Sequence, residues 1–491
     1  MSARADANLA ALLRDATRTH ATRSALTSNG QALSYGELDA LAARFAGLLR
    51  ARGVERGDRV ALLLPNIPAF AAAYYGALRL GAIVVPLNFL LKRDEVAHRL
   101  ADCGARMVVT LPARDDVSIE RVDPAEAVDA PSIDELAPVE ASETAVILYT
   151  SGTTGGPKGA ELTHTGLRMV ATTLGRLLAV THEDVVFGGA PLAHVFGMSA
   201  ALNMTLAAGA SVALVERFEA KVALDLFARE NVQVFLGVPT MCIALLAAAE
   251  SAVEVPQLRV AHCGGSPLAA ETLHAFAERF GCEVLEGYGL TEAAGTVTSH
   301  RRGRPVKPGS VGEAIDGTEI RIDEVADGHG EVLVRGPGIM RGYWRNEPET
   351  RAAVSPEGWL ATGDIGRVDE DGYLFLVDRK KDVIIRGGYN VYPREVEEIL
   401  YAHPAVREVV VVGVPDPVLG EEVVALIVPR DSRSADRSEL QSFVRERIAA
   451  YKYPRSIVVV DELPHGPSGK VLRRAIDRTA LRAALDQSKG A

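Results

Sequence analysis

The chain of 491 residues contains only four cysteines and two tryptophans. The cysteines show no C-x-x-C spacing, and each lies in or beside an apolar segment; they are Cys103, Cys242, Cys263 and Cys282. Buried free thiols have this pattern, whereas thiolate metal sites and disulfide scaffolds need closely spaced or more numerous cysteines. We therefore expect neither a metal–thiolate site nor a disulfide framework.

The sequence also lacks an unbroken apolar run that could cross a membrane. Its most apolar stretch, residues 69–91, is interrupted by Arg79 and Pro86 and is typical of a buried helix followed by a strand. The first residues, Met1 to Asp6, begin no signal-peptide hydrophobic region. These features predict a cytoplasmic protein with no membrane span.

Basic residues are fewer than acidic residues. The chain has 53 Lys and Arg residues against 64 Asp and Glu residues, for a net charge of -11, and its pI is about 5.6. This balance argues against nucleic acid or an anionic membrane as the main partner.

The length of the chain is too great for one hydrophobic core, so we expect two or more domains. After the capping box Ser34-x-x-Glu37, helix and strand patterns alternate, which predicts parallel sheets covered by helices. Residues 115–142 show no clean periodicity and are interpreted as a surface excursion. Short alternating strands at about 309–375 predict a small antiparallel barrel or meander.

The charged segment 378–382 has no apolar face and is taken as the domain boundary. The remainder, residues 383–491, is typical of a compact α+β module, with one helix beginning at Pro393 and another opened by Ser438-x-x-Gln441.

One loop combines glycines, hydroxyls and a lysine in a way that suits phosphate. It runs from Tyr149 to Gly159, directly after the apolar strand pattern of residues 145–148. Glycines let backbone N–H groups approach an anion, while hydroxyls and a lysine add hydrogen bonds and charge. The Walker pattern fails because Pro157 precedes Lys158 and Gly159 stands at the hydroxyl position. A flexible linker is the alternative interpretation.

This loop resembles the signature loop of the AMP-forming adenylating enzymes, the superfamily of acyl-CoA synthetases, luciferases and adenylation domains. The resemblance extends from about Leu33 to Arg474 and is closest to fatty-acid and aryl-acid CoA ligases. It implies an α/β fold with a large N-terminal domain of two helix-covered sheets plus a small β-barrel (1–378), a hinge (379–382) and a smaller α+β C-terminal domain (383–491). The loop residues implied to bind nucleotide are Thr150, Ser151, Gly152, Thr153, Thr154 and Lys158.

A second segment, Glu286 to Glu292, is similar to the family's adenine and metal segment. The resemblance implies that Tyr288 stacks on adenine, Thr291 contacts the AMP phosphate and Glu292 holds Mg²⁺, with Thr150 as a second metal contact. The alternative is a turn that opens a helix, with Glu292 in its first turn. The other residues assigned to nucleotide binding are Gly265, Glu286 and Gly287.

The remaining nucleotide contacts are implied nearer the C-terminus. Asp364 and Arg379 resemble the family's ribose-binding pair, although an Asx turn and a solvated charge are the alternatives. Lys470 matches the catalytic lysine that bridges the substrate carboxylate and the α-phosphate. The full catalytic set is Lys470, Thr291, Glu292, His194 and Lys158.

Thioester formation requires CoA to arrive where Lys470 stood, and the family achieves this by rotating the small domain. Lys381 aligns with the hinge residue, and Gly387 and Gly388 would line the pantetheine tunnel, a tight turn being the alternative. Ile385 stands where coumarate ligases and luciferases carry a lysine, which is a departure from those relatives.

The resemblance also implies an acid pocket with small and apolar walls. Val195 replaces the Asp of amino-acid-activating relatives, and no basic residue adjoins Tyr288 to receive a second carboxylate, which disfavours amino acids and dicarboxylates. A core histidine is the alternative for His194. The pocket residues are His194, Val195, Phe196, Ser199, Gly264, Ala293 and Gly295, with Met198, Gly265, Gly287 and Ala294 as further wall candidates.

We therefore predict an AMP-forming acyl-CoA synthetase that uses ATP, Mg²⁺ and CoA on a hydrophobic acid, a medium- or long-chain fatty acid first. The alternatives are an aryl-acid CoA ligase, an adenylating enzyme that passes the acyl group to an acyl-carrier protein or an amine, and, from another class, a luciferase-like oxygenase. A homodimer is a further expectation.

Overall fold

The computed structural model describes residues 6–114, 117–150, 157–250, 255–266, 268–326, 328–380, 382–387, 389–417, 419–430, 436–465 and 471–489. The chain forms two compact units. The first unit consists of the chain up to Ile320 together with Leu333–Ala361. The second unit consists of Arg321–Val332 and the chain from Thr362 onward. The predicted boundaries at 378 and 383 stay predictions.

The helices are α1 (Ala11–His20), α2 (Tyr35–Ala51), α3 (Pro68–Arg79), α4 (Arg93–Cys103), α5 (His164–Leu177), α6 (Thr205–Ala207), α7 (Ala220–Glu230), α8 (Pro239–Ala249), α9 (Ala270–Phe280), α10 (Glu347–Ala353), α11 (Pro393–Tyr401), α12 (Arg437–Arg445) and α13 (Arg478–Lys489). Single 3₁₀ turns lie at Pro124–Ala127, Thr291–Ala293 and Arg473–Ala475, and a π-helix spans Phe196–Met204.

The strands are β1 (Ser24–Ser28), β2 (Gln31–Ser34), β3 (Arg59–Leu63), β4 (Ile83–Pro86), β5 (Met107–Thr110), β6 (Glu120–Val122), β7 (Thr144–Thr150), β8 (Lys158–Thr163), β9 (Val185–Gly188), β10 (Ser211–Leu214), β11 (Val234–Gly237), β12 (Val260–Gly264), β13 (Glu283–Leu290), β14 (Gly295–Ser299), β15 (Glu313–Ala314), β16 (Glu319–Ala326), β17 (His329–Arg335), β18 (Leu360–Val368), β19 (Leu374–Arg379), β20 (Ile384–Arg386), β21 (Tyr389–Val391), β22 (Val406–Asp416), β23 (Gly420–Pro429) and β24 (Ser456–Val459).

Two large sheets form the first unit. One has nine strands in the order β15-β14-β13-β12-β11-β9-β10-β1-β2, and the other has six in the order β6-β5-β3-β4-β7-β8. Strands β3, β4 and β5 pair in parallel and are almost wholly buried, as expected of strands covered on both faces. The predicted helix-covered parallel sheets are confirmed.

The nine-stranded sheet is covered by helices on both faces. Successive side chains of each strand point to opposite faces, so both faces present apolar residues. Phe235 of β11 packs with Phe227 and Phe276 from α7 and α9. Its neighbours Val234 and Leu236 pack on the opposite face with α5 and the π-helix. The end of β12 therefore lies beside the π-helix, where the site is built.

The second unit contains a sheet of strands β21-β20-β23-β22, to which β24 adds beside β23. A four-stranded sheet follows chain order, β16-β17-β18-β19, as in the predicted meander.

Local sequence signals were right in several places and wrong in others. The capping box is confirmed, since the Ser34 side chain accepts the Glu37 N–H and the Glu37 carboxylate accepts that of Ser34. The expectation of a plain excursion at 115–142 is wrong in part, because Glu120–Val122 pairs in parallel with β5. The cap of α12 is Asp436, whose carboxylate accepts the N–H of Ser438, so Ser438 lies inside the helix.

Candidate active site

The loop predicted to bind phosphate, residues 149–159, connects two antiparallel strands. Thr150 ends β7, Lys158 begins β8, and the two residues face each other in the register of the hairpin. Ser151, Gly152, Thr153 and Thr154 lie outside the described residues. A hairpin differs from the strand–loop–helix arrangement of the Walker loop, which agrees with the failed pattern match.

Lys158 is held by an anion and an aromatic ring. Its ammonium forms an ion pair with Glu349, and its side chain is 16% exposed. The same nitrogen lies 5.2 Å from the centre of the Tyr343 ring. A cation over an aromatic face is stabilised by the ring, so Glu349 and Tyr343 together fix the Lys158 side chain at the start of β8.

Tyr343 connects Lys158 to Glu292. Its hydroxyl donates a hydrogen bond of 3.0 Å to Oε1 of Glu292, and burial, followed by the Glu292 charge, raises the pKa of Tyr343. The backbone brings this tyrosine here because Trp344 N–H donates to the Gly159 carbonyl at 2.7 Å, continuing the pairing along β8. Tyr343 and Glu349 were missed by the sequence analysis.

The segment from Glu286 to Glu292 is the end of a strand and a 3₁₀ turn. Strand β13 continues to Leu290, Thr291–Ala293 forms the turn, and β14 follows. The alternative of a turn that opens a helix is therefore wrong. Thr291 and Glu292 are half-buried on this turn, as is Tyr288 on β13, whereas Glu286 is almost fully buried.

The acid-pocket candidates converge on the same turn. Ser199 of the π-helix donates a hydrogen bond of 2.8 Å to the carbonyl of Ala294, whose φ is +57°. A Cβ added at Gly295 would lie 3.4 Å from Ser199 Cβ and 3.6 Å from Val195 Cγ2. The hydroxyl thus stabilises a left-handed residue that would otherwise be strained.

Strand β12 ends beside these candidates. A Cβ at Gly264 would lie 3.2 Å from the Gly287 carbonyl and 3.8 Å from the Phe196 ring. Phe196 in turn stacks on His262, with ring centres 6.2 Å apart. His262 is 1% exposed, and burial lowers its pKa to about 4, so the imidazole is neutral at pH 7. Gly265 follows with φ +84° beside Val238.

For the other pocket candidates, the structure gives burial and local hydrogen bonds. Met198 is fully buried on the π-helix, and Ala293 is also buried, with its carbonyl directed toward Gly338. His194 is exposed, and its Nδ1 accepts the Phe196 N–H at 3.2 Å. The alternative of a core histidine is therefore wrong for His194.

Asn66, also missed by the sequence analysis, fixes the turn that carries His194. Its Oδ1 accepts the Leu192 N–H at 2.8 Å, and its Nδ2 donates to the Ala190 carbonyl at 2.9 Å. The side chain is 6% exposed. An asparagine of this kind cannot be recognised locally, because its partners lie more than 120 residues away.

In the second unit, the two ribose candidates lie opposite each other. Asp364 of β18 and Arg379 of β19 are register partners. The Thr362 hydroxyl accepts the Asp364 N–H at 3.1 Å and donates to the Val332 carbonyl at 2.7 Å, which fixes the turn at Gly363. Asp364 is 7% exposed.

The structure describes only some of the predicted C-terminal site residues. Lys381, Gly388 and Lys470 lie outside the described residues. Gly387 has φ +57°, and its N–H donates to the Leu419 carbonyl at 2.7 Å, in the turn between β20 and β21. Ile385 is 57% exposed on β20.

Within the described parts of the chain, no group of three or more His, Cys, Asp or Glu side chains could hold a metal ion. Mg²⁺ is commonly bound by one or two carboxylates together with substrate phosphates, so the single half-buried carboxylate of Glu292 fits that chemistry. No helix built from the described residues is both long and apolar enough to span a bilayer.

The family model described as AMP-binding enzyme matches residues 13–344, and the model for the AMP-binding enzyme C-terminal domain matches residues 395–470. The chain belongs to the AMP-binding enzyme family. This AMP-binding enzyme is 38% identical to a feruloyl-CoA synthase of Amycolatopsis sp, over 94% of this chain and 96% of that protein. It is 34% identical to a long-chain-fatty-acid–CoA ligase of Bacillus subtilis (strain 168), over 95% and 94% of the two chains.

Solved structures agree. ATP-bound MatB from Rhodopseudomonas palustris superposes with a TM-score of 0.89 at 33% identity, covering 96% of this chain and 98% of the other. The predicted fold class is confirmed, and the protein is an AMP-forming acid–thiol ligase of the acyl- and aryl-CoA ligase type, with ATP and CoA as co-substrates.

Proposed function

We propose that this AMP-binding enzyme activates a hydrophobic monocarboxylic acid, a medium- or long-chain fatty acid first, and transfers the acyl group to CoA. One observation carries the proposal: the turn at residues 291–295 belongs to both halves of the site. Its Glu292 is bound by Tyr343 beside Lys158, and its Ala294 is bound by Ser199 of the pocket wall.

The proposed roles follow from the charges in the first step. A carboxylate oxygen attacks the α-phosphorus of ATP, the bond to the β-phosphate oxygen breaks, and pyrophosphate leaves. Two anions about 4 Å apart repel by roughly 4 kcal/mol at an effective dielectric constant near 20, so cations among them account for about three orders of magnitude in rate. Lys158 and Thr291 would bind phosphate oxygens, and Lys470 would hold the carboxylate against the α-phosphate.

Glu292 and Thr150 are proposed to hold Mg²⁺, which when bound supplies positive charge to the phosphates. Tyr288 would stack on the adenine, and Asp364 and Arg379 would bind the ribose hydroxyls. Gly265, Glu286 and Gly287 are proposed to line the nucleotide site. Ser151, Gly152, Thr153 and Thr154 are proposed to bind the phosphates through backbone N–H groups and hydroxyls.

In the second step the CoA thiol loses its proton and attacks the acyl carbonyl, and AMP leaves with one carboxylate oxygen. Rotation at Lys381 would remove Lys470, and Gly387 and Gly388 would admit the pantetheine arm. An acyl-carrier protein or an amine as acceptor, a luciferase-like oxygenase, a homodimer and a cytoplasmic location remain predictions.

The acid is inferred from the walls. Val195 and Phe196 are apolar, Gly264 and Gly295 add no side chain, and the hydroxyl of Ser199 is used by Ala294. Walls of this composition favour an apolar acyl group. An aryl acid is the second candidate, and the identity to a feruloyl-CoA synthase favours it.

The test is acid-dependent exchange of labelled pyrophosphate into ATP, measured across straight-chain acids of increasing length and across hydroxylated and methoxylated cinnamic and benzoic acids. We expect exchange with apolar monocarboxylates and a CoA thioester detected by mass. Exchange confined to amino acids or dicarboxylates, or no thioester with CoA, would contradict the proposal. A strict preference for the cinnamic series would replace the first candidate with the second.

A further inference from the structure

Asn203, near the end of the π-helix, makes two hydrogen bonds to side chains of α3. Its Oδ1 accepts a hydrogen bond of 2.8 Å from the Tyr75 hydroxyl, and its Nδ2 donates one of 3.2 Å to the Tyr74 hydroxyl. All three residues are 0% exposed. Burial raises the pKa of both tyrosines, so their hydroxyls stay protonated. Breaking either bond would leave a buried polar group without a partner, which is costly.

Helix α3 is a rigid support because it packs closely on α2. A Cβ added at Gly76 would lie 2.6 Å from Phe45 Cβ and 2.8 Å from the Ala42 carbonyl oxygen, closer than such atoms can lie. The Tyr74 and Tyr75 rings also meet edge to face, with centres 5.1 Å apart. The two hydroxyls that bind Asn203 are therefore held in fixed positions.

The first part of the same π-helix forms a proposed wall of the acid pocket. Val195 and Ser199 both face Gly295, where an added Cβ would lie 3.6 Å and 3.4 Å from their side chains. Residues four apart lie next to each other on a helix surface. Asn203 is therefore the next position after Ser199 on this side of the helix.

The chain around this wall is attached to the α3 region at both ends. Asn66, two residues before α3 begins, binds the Leu192 N–H and the Ala190 carbonyl. Asn203 binds α3 itself at the other end. The wall residues 195–199 lie between these two attachments, so a shift of the helix at Asn203 would move the wall.

We propose that Asn203 is a positioning residue for acid binding: by binding Tyr74 and Tyr75, it holds the π-helix where its wall fits the acyl group of an apolar monocarboxylate. This inference rests on the proposed function, because it takes Val195 and Ser199 as walls of the acid pocket. Asn203 itself contacts neither the acid nor the nucleotide in this scheme.

The test compares acid binding with nucleotide binding in the full-length enzyme. Pyrophosphate exchange gives the KM for the acid, the KM for ATP and kcat, with the apolar monocarboxylate that wild type exchanges best. We expect Asn203→Leu to raise the KM for the acid by about 10-fold, the effect of a small misfit in an apolar pocket. The KM for ATP and kcat should change by less than about twofold, as they do when only binding of one substrate is lost.

A triple variant separates positioning from stability. N203L combined with Y74F and Y75F removes every polar group of the network, and replacing all partners by apolar groups of similar shape is nearly neutral for stability. We expect its urea midpoint to recover toward wild type, whereas the KM for the acid stays raised, because apolar contacts are not directional. This variant also replaces N203L if that variant does not fold.

Asn8→Leu is the matched control. Asn8 is also 0% exposed, and its Nδ2 donates to the Leu78 carbonyl of α3 at 2.8 Å. Its other side-chain bonds are to Ala137 and Ala10, which lie outside the π-helix. N8L should lower the urea midpoint and leave the KM for the acid unchanged.

An unchanged KM for the acid in N203L, an equal rise in the KM for ATP, or an equal effect of N8L would overturn the assignment. Recovery of the wild-type KM for the acid in the triple variant would also overturn it and make Asn203 a general structural residue. Failure of the proposed function has a different signature, since wild type itself would then show no exchange with apolar monocarboxylates.

Discussion

The Glu292 carboxylate is fixed at one oxygen by Tyr343, and the Tyr343 ring also supports the Lys158 ammonium. A hydrogen bond to a charged acceptor contributes about 1.5–3 kcal/mol, so the hydroxyl of Tyr343 has a measurable effect on how Glu292 is presented. The aromatic ring can remain when the hydroxyl is removed, which separates the two contacts.

Tyr343→Phe should therefore lower the gain in ATP affinity that Mg²⁺ provides by about 10- to 150-fold, with little effect on ATP binding without Mg²⁺. Titration calorimetry with and without Mg²⁺ measures both quantities. Tyr35→Phe is the control, because the Tyr35 hydroxyl likewise donates a hydrogen bond, to the Ala210 carbonyl at 2.6 Å, at positions remote from Glu292 in sequence. An unchanged Mg²⁺ titration in Y343F would contradict this role.

Single functional residues could be predicted from the sequence where the adjacent residues form a recognisable motif. Lys158 and Glu292 belong to recognisable local segments. Tyr343 and Asn66 do not, because their partners lie far away in the chain and are brought close only by sheet pairing and loop packing. Side chains that act through another residue are the ones that sequence reasoning missed.

The space beside the proposed acid-pocket residue Gly264 can be tested by adding a single methyl group. Gly264 at the end of β12 has an ordinary backbone conformation, and an added Cβ would meet the Phe196 ring at 3.8 Å and the Gly287 carbonyl at 3.2 Å. The strand would need to shift by only a few tenths of an ångström.

Gly264→Ala should lower kcat/KM for bulky substituted aryl acids by about 10-fold or more, since one methylene in an apolar pocket changes binding by about 1–3 kcal/mol. Short straight-chain acids should be affected less. The acid panel under steady-state conditions measures the ratio. Gly175→Ala, which adds a methyl 3.4 Å from Met204 at the far end of the π-helix, is the control. Parallel losses for all acids would show that Gly264 does not face the acyl group.

Most strands and helices could be predicted from the periodicity of apolar residues. A short apolar run such as that of β3 is typical of a strand buried within a sheet. The exceptions have identifiable causes. The π-helix at Phe196–Met204 has an apolar sequence that does not distinguish it from an α-helix, and it is almost entirely buried. The short strand β6 is exposed at two of its three positions, so it carries no period-2 signal.

At the level of the whole molecule, the sequence predicted a large α/β part followed by an α+β part, and the structure contains both. The chain passes from one compact unit to the other after Ile320, Val332 and Ala361. The amino-acid composition at these three points does not indicate a boundary. Such crossings depend on which strands pair over long distances, and a linear pattern of residues does not record them.

The central claim is that a carboxylate oxygen attacks the α-phosphorus of ATP and leaves with AMP when CoA takes the acyl group. The most direct measurement is a turnover with acid labelled by ¹⁸O in its carboxylate, followed by mass analysis of the nucleotide and phosphate products. The account predicts one labelled oxygen in AMP, none in pyrophosphate, and an equal amount of CoA thioester. Unlabelled AMP, or ADP with labelled phosphate, would contradict it.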